Sequence, residues 1–163
     1  MSNLFFISDL HLFHNNIIKY TRPEFENLDN MRETIIGLYN SVVGKNDTCY
    51  IVGDVTFSKN KLWIMDRFNG KKKLVLGNHD HDKISQYGHY FDSVHGMVQI
   101  GKKTIITHCP IHPAQFEGRF TRNIHGHVHW KTLNDNRYIN VSCEVLNFLP
   151  VSWEWIKERH KAE

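Results

Sequence analysis

The chain has 163 residues, of which 40% are apolar and 23% are charged, and its formal net charge is +3. This size and balance predict one globular domain over residues 1–163 with a single sizeable core, and they exclude a disordered chain. The charge is compatible with an anionic substrate but is too small to indicate a nucleic-acid partner.

The first half of the chain alternates strand-like and helix-like segments. Strands are predicted over residues 4–8, 48–52 and 73–76, and helices over residues 29–43 and 61–68. The first helix is expected to be capped by Asp29 or Asn30. The run Lys71–Lys73 is interpreted as a solvated charged stretch ahead of a strand.

The second half is richer in strands. A hairpin is predicted where residues 94–100 and 104–107 flank the turn dipeptide Gly101–Lys102. Further strands are predicted over residues 123–124 and 138–142, and a polar helix over residues 152–161. Alternating helices and strands followed by a hairpin predict an α/β protein built around a mixed sheet.

Secretion and membrane insertion are not indicated by the sequence. The apolar run at residues 4–7 is shorter than the core of a signal peptide, and no segment approaches the length of a membrane span. Cys49, Cys109 and Cys143 are an odd number without a framework spacing, which indicates reduced thiols. We therefore expect a cytoplasmic protein without a membrane partner.

Histidine is the unusual residue, with 12 copies, many of them beside Asp or Asn just after predicted strands. Five motifs follow in chain order: Asp9-Leu10-His11, Gly53-Asp54, Gly77-Asn78-His79-Asp80, Thr107-His108 and Gly126-His127-Val128-His129. Residues two apart point the same way in an extended segment, so Asp9 and His11 can approach one point together. Loops that follow strands present such side chains from a rigid scaffold.

The donor types in these motifs indicate a metal. Carboxylate, imidazole and amide groups without thiolate suit Mn²⁺, Fe, Zn²⁺ or Ni²⁺. The glycines at 53, 77 and 126 are expected to let the backbone turn sharply beside a crowded site. Asp80 is expected to brace a turn rather than bind metal.

The order of the motifs resembles that of the calcineurin-like metallophosphoesterases, most closely the small, capless enzymes of bacteria and phages. The match runs from Asp9 to His129. The resemblance implies a sandwich of mixed β-sheets flanked by helices, with two metals bound between the strand ends. The implied ligands are Asp9, His11 and His129 for one metal, Asn78, His108 and His127 for the other, and Asp54 as the bridge.

The same resemblance implies hydrolysis of a phosphomonoester or phosphodiester by direct attack of a water or hydroxide that bridges the metals. Two metals at roughly 3.5–4 Å can clamp the attacking and leaving oxygens of an in-line displacement. His79 would be the catalytic histidine, which stabilises developing charge or protonates the leaving oxygen. Asp54 would take part in catalysis through the metals, for which Mn²⁺ is the first expectation and Fe, Zn²⁺ or Ni²⁺ are the alternatives.

The sequence departs from the Ser/Thr-phosphatase branch after Asp54. That branch continues with an Asp, which orients the catalytic histidine, and an Arg, which binds phosphate, whereas Phe57 stands here at the Asp position. A phosphoprotein substrate is therefore not expected, and a backbone carbonyl is one candidate for orienting His79. The residues suggested for binding the substrate are Lys59, Arg119 and Arg122, with His14 at the rim of the site.

Other interpretations stay open. Each motif alone also fits a turn, a surface histidine or a core histidine. These simpler interpretations explain the sequence without a metal site only if every one of them is correct at once. A nuclease or cyclic-nucleotide phosphodiesterase would use a basic groove with an aromatic platform, for which Arg119–Arg122 and Trp130 are candidates, although packing explains most such tryptophans. A non-catalytic interaction protein, similar to the phosphoesterase-like subunit of retromer, would lack His79. The expected partner is thus a phosphate ester, either a small molecule or a nucleotide.

Overall fold

Two β-sheets form the framework of the computed structural model, which describes residues 2–159. The strands are β1 (Leu4–Ile7), β2 (Thr48–Ile51), β3 (Lys71–Val75), β4 (Ser93–His95), β5 (Val98–Ile100), β6 (Thr104–Ile106), β7 (Arg122–His125), β8 (Tyr138–Asn140) and β9 (Val151–Ser152). The first sheet has the order β4-β3-β2-β1-β9 and the second has the order β5-β6-β7-β8.

Both sheets are mixed. Strands β1 to β4 run parallel and β9 joins β1 antiparallel, whereas β6, β7 and β8 run parallel and β5 joins β6 antiparallel. The parallel strands of each sheet therefore end at one edge, and the loops that follow those strand ends meet there.

The helices are α1 (Ile17–Tyr20), α2 (Leu28–Val42), α3 (Ile84–Tyr87) and α4 (Trp153–Arg159), with 3₁₀ turns at Leu62–Arg67 and Pro113–Phe116. The central strands β1 and β2 of the first sheet are largely buried because both faces of the sheet are covered there. Phe5 and Ile7 pack with α2, whereas Phe6 packs with apolar residues of the second sheet such as Ile124. The α/β class with mixed sheets and flanking helices is confirmed. None of the helices in residues 2–159 is both long and apolar enough to cross a membrane.

Several predicted elements differ from the observed ones. The predicted strand 94–100 is wrong as one element: the chain leaves the first sheet after His95 and enters the second at Val98. The segment 61–68 forms a 3₁₀ turn over Leu62–Arg67 rather than an α-helix. In the C-terminal segment, Ser152 belongs to β9, and residues 160–161 of the predicted helix lie outside the described residues.

Two further predictions are corrected by hydrogen bonds. Helix α2 is capped by Asn27, whose side chain accepts from the Asn30 N–H at 2.8 Å, so neither Asp29 nor Asn30 is the cap. The lysine run is not a solvated stretch before a strand, since it begins β3, and the Lys72 amine donates to the carbonyls of Phe68 and Gly70. Within the described residues the three cysteines form no disulfide.

Candidate metal centre

The two sheets meet at a seam where their strand ends face each other. A bridge joins Ser8 to Ser142, and the Asp9 carboxylate accepts hydrogen bonds from the His127 N–H and from the Ser142 hydroxyl at 2.9 Å. This seam brings together the seven residues predicted as ligands, which follow strands of both sheets: Asp9, His11, Asp54 and Asn78 from the first, and His108, His127 and His129 from the second.

One group of ligand atoms forms around His11. Asp9, His11 and His129 each offer one atom, and these atoms lie within 4.8 Å of one another. The rings of His11 and His129 stack with centroids 5.2 Å apart. The arrangement matches the first predicted ligand set.

A second group forms around His108. The Asn78 Oδ1 atom lies 3.0 Å from His108 Nε2 and 2.8 Å from His127 Nδ1. The Asp54 Oδ2 atom lies 3.3 Å from His108 Nε2 and 3.6 Å from His11 Nε2. The Asp54 carboxylate therefore stands between the two groups, at the position expected of a bridge.

The fit of these groups to a metal rests on His11. Its side chain is 2% exposed, and within the described residues neither ring nitrogen has a hydrogen-bond partner. Burying an unsatisfied polar group costs about 1–3 kcal/mol, so such atoms call for a partner. A cation bound by Asp9, His11 and His129 would supply one, and the donor set suits divalent ions.

The protonation states of the group fit the same chemistry. Burial lowers the pKa of His11 to about 3, which keeps its imidazole neutral and able to bind a metal. Burial opposes the charged form of His108, but the hydrogen bond and charge of Asp54 outweigh it and raise the His108 pKa to about 9. Burial likewise opposes the Asp54 carboxylate, and the hydrogen bond and charge of His108 lower its pKa to about 2. Without metal, Asp54 and His108 form an ion pair.

Five of the predicted ligands hold the backbone in the left-handed region. The φ angles are 59° for Asp9, 48° for His11, 56° for Asp54, 71° for His127 and 51° for His129. Non-glycine residues in this region cost on the order of 1–3 kcal/mol each, and such residues cluster at functional sites. The loops are held in place by backbone bonds, including the His11 N–H to the Asp54 carbonyl at 2.9 Å.

The glycines beside the site act in two ways. Gly53 has a φ of 86° and turns the backbone, as expected. Gly77 and Gly126 do not have a positive φ, and their role is close approach. A Cβ atom would overlap the Asp54 carboxylate at position 77, and the Ser8 hydroxyl and Asp9 carboxylate at position 126.

A buried arginine and a carboxylate support the ligands, and sequence reasoning missed both. Arg22 is fully buried and donates to the carbonyls of Asp9 and Leu10 and, at 2.9 Å, to the Glu144 carboxylate. Glu144 also lies 3.0 Å from His129 Nδ1, a contact that fixes the ring and leaves Nε2 for a metal. Arg22 has no local sequence signal, whereas Glu144 follows a strand as the other site residues do.

The His79 ring lies at the open side of the group. Its backbone N–H donates to Asp54 Oδ1 at 2.9 Å, and its ring centroid lies 5.0 Å from that of Phe57 and 5.7 Å from that of His11. In the described part of the chain no carbonyl bonds to this ring, so packing against Phe57 positions it. His14 lies at the rim, with its ring 4.1 Å from that of Phe57.

The remaining predicted residues either brace the loops of the site or lie away from it. The Asp80 carboxylate accepts from the N–H groups of Asp54, Val55 and Gly77 and braces their loops, as expected. Arg122 begins β7, at the opposite end of that strand from His127, and Arg119 donates to Gln99 at 3.0 Å. The structure therefore does not bring these two arginines to the site. Lys59 is exposed, two residues beyond Phe57.

Comparison with known proteins finds relatives whose names give no activity. No protein-family model matches the chain. The uncharacterized protein MJ1445 of Methanocaldococcus jannaschii is 34% identical, over 96% of this chain and 90% of its own length. The gene 66 protein of Mycobacterium phage L5 is 40% identical over 49% of this chain and 41% of its own length. The crystal structure of the protein of unknown function AQ665 from Aquifex aeolicus superposes with a TM-score of 0.80 at 29% identity, covering 97% of this chain and 99% of that one.

Proposed function

We propose that this chain, which belongs to the same family as MJ1445, is a two-metal phosphoesterase with a calcineurin-like architecture. One observation carries the proposal: the Asp54 carboxylate lies 3.6 Å from His11 and 3.3 Å from His108, between two groups of metal-ligating side chains. The order of the motifs that supply these groups supports the same activity.

Two divalent cations would be held by residues of both sheets. One would bind Asp9, His11 and His129, the other Asn78, His108 and His127, and Asp54 would be shared. When bound, the ions supply Lewis-acid activation of water and of the phosphoryl group. Mn²⁺ stays the first expectation and Fe, Zn²⁺ and Ni²⁺ the alternatives, since the donor set of carboxylates, imidazoles and an amide is compatible with all four.

The side chains of this chain perform the other steps. Asp9 and Asp54 offset only two of the four charges that a pair of dications brings, so the filled centre attracts a phosphate anion. His79 is partly exposed on the solvent side of Asp54 and would donate a proton to the leaving oxygen. Phe57, which is 44% exposed, holds the His79 ring by packing in place of a carboxylate.

The test of this activity uses two chromogenic substrates, p-nitrophenyl phosphate and bis(p-nitrophenyl) phosphate. We expect chelation to abolish hydrolysis and added Mn²⁺, Zn²⁺ or Ni²⁺ to restore it. His79→Ala should lose roughly 100- to 10,000-fold in kcat on phenyl phosphate, whose poorer leaving oxygen needs a proton, and less on the p-nitrophenyl esters. His89→Ala, which changes an exposed histidine in a separate cavity, is the matched control and should stay active. Hydrolysis that survives chelation, or a fully active His79→Ala protein, would contradict the proposal.

Metal binding is expected to release protons, because the metal-free site is protonated. With a His108 pKa of about 9, the imidazole carries a proton at neutral pH, and a metal binds only its neutral form. The apparent affinity of the protein for the metal should therefore rise with pH up to about pH 9 and then level off. Titration calorimetry in buffers of different ionisation enthalpy counts the protons. Affinity that is flat across this range would show that His108 does not bind the metal.

A further inference from the structure

A groove with a volume of about 380 Å³ opens directly beside the candidate metal centre. Two predicted ligands, His127 and His129, form one wall, and Tyr20, Trp130 and Lys131 line the rest. The volume falls within the range of small-molecule sites. Because two predicted ligands line it, a molecule bound in this groove would lie next to a phosphate held at the metals.

The groove exposes two large aromatic side chains. Tyr20 is 73% exposed and Trp130 is 61% exposed, and neither ring packs against another aromatic ring within the described residues. Aromatic faces left in solvent beside a candidate active site are typical of a binding surface. Planar rings of this kind stack on nucleic-acid bases without regard to sequence.

The backbone that carries Trp130 is fixed on both sides. The Asn140 side-chain amide donates to the carbonyl of His129 at 2.7 Å and to that of Lys131 at 3.1 Å. The Lys131 N–H also donates to the Val128 carbonyl at 3.0 Å. Trp130 therefore lies in a hydrogen-bonded turn that also carries the predicted ligand His129. The fold thus sets the distance between Trp130 and the candidate metal centre.

The charge of the groove suits a phosphorylated ligand of limited length. Lys131 is the charged residue that lines it, and no acidic residue does so among those the structure describes. A long polyanion is bound through many phosphate contacts along a basic stripe, and one lysine does not form a stripe. The groove is therefore suited to one nucleotide unit rather than to an extended strand.

We infer that this groove binds the nucleoside part of a nucleotide ester, with the base stacked on Trp130 and Tyr20 and the reacting phosphate at the metals. This rests on the proposed function and narrows its substrate class. Trp130 acts as a specificity residue and makes no contact with the reacting atoms.

The first test compares two phosphodiesters that share the p-nitrophenolate leaving group, thymidine 5′-(p-nitrophenyl) phosphate and methyl p-nitrophenyl phosphate. The Mn²⁺-loaded protein should prefer the nucleoside ester by roughly 5- to 150-fold in kcat/KM, which is the value of stacking one base. Trp130→Ala should reduce this preference, with a larger fall in kcat/KM on the nucleoside ester than on the methyl ester. Trp63→Ala is the matched control: Trp63 is also exposed, at 49%, but lines a separate cavity with Asn60 and Asp82.

A binding measurement separates the groove from the chemistry. On the Mn²⁺-loaded His79→Ala protein, AMP should bind more tightly than ribose 5-phosphate, and adding Trp130→Ala should reduce this advantage. If AMP shows this advantage but neither ester is hydrolysed by the unmutated protein, the groove stands and the proposed activity fails. If the unmutated protein hydrolyses both esters at equal efficiency, the nucleotide site is overturned and the phosphoesterase remains. If AMP binds no better than ribose 5-phosphate, the nucleotide site is overturned, and hydrolysis of the esters alone decides the proposed activity.

Discussion

Replacing Asp54 with asparagine is expected to reduce ester hydrolysis by more than roughly 100-fold, the upper range for residues that only support a metal ligand. The carboxylate is the atom group common to both sets of ligands, 3.6 Å from His11 and 3.3 Å from His108. Asparagine keeps the shape and tolerates the left-handed backbone, so the change removes charge rather than fold. Metal content should fall with activity, since the two cations lose the anion between them.

The matched control for this substitution is Asp66→Asn, which removes an exposed carboxylate in the Leu62–Arg67 turn. Metal content by mass spectrometry, measured beside kcat/KM, separates the two proteins. Denaturant unfolding of the metal-free proteins then checks that Asp54→Asn is folded. A folded Asp54→Asn protein with a full complement of metal and native kcat/KM would remove Asp54 from the centre.

Arg22→Met is expected to lower the free energy of unfolding by about 3–5 kcal/mol, because it breaks a buried ion pair and leaves Glu144 without its guanidinium. The same change removes hydrogen bonds to the carbonyls of Asp9 and Leu10, which hold the first ligand loop. Metal affinity should therefore fall together with stability, although Arg22 contacts no predicted metal position.

Arg67→Met is the matched control, since Arg67 pairs with Glu33 at the surface and such pairs contribute at most about 1 kcal/mol. Denaturant titration of both variants gives the comparison. If Arg22→Met does not fold, Glu144→Gln tests the same network, because it keeps the volume and weakens the contact to His129 at 3.0 Å. Native metal affinity in Glu144→Gln would show that this network does not position His129.

The predicted ligands could be read from the sequence because they stand in an ordered series of short motifs, each within a few residues of a strand end. Strands buried on both faces appear as unbroken apolar runs, and their ends mark where a parallel sheet presents its loops. The meeting of Asp9 and His11 does not follow from the alternation of an extended segment, since both residues hold the backbone in the left-handed region. Local spacing does not predict that the two sheets meet. Their meeting brings His127 Nδ1 to 2.8 Å from Asn78 Oδ1, although the two residues are 49 positions apart in the sequence.

Other features could not be predicted from the sequence, because tertiary contacts decide them. The segment 94–100 is a continuous strand pattern, yet its two halves pair with different sheets, because register is decided by partners and not by propensity. Arg22 lies in a polar loop, and only the fold shows that the carbonyls of Asp9 and Leu10 close around it. The packing of Phe57 on His79 is equally invisible in sequence.

The left-handed backbone at five ligands has an evolutionary consequence. Left-handed backbone is uncommon for residues that carry a side chain, and each of the five positions adds its own cost. Glycine at any of them would relieve this burden and lose a ligand. A descendant released from selection for the chemistry should therefore drift first at Asp9, His11, Asp54, His127 and His129, toward glycine or asparagine.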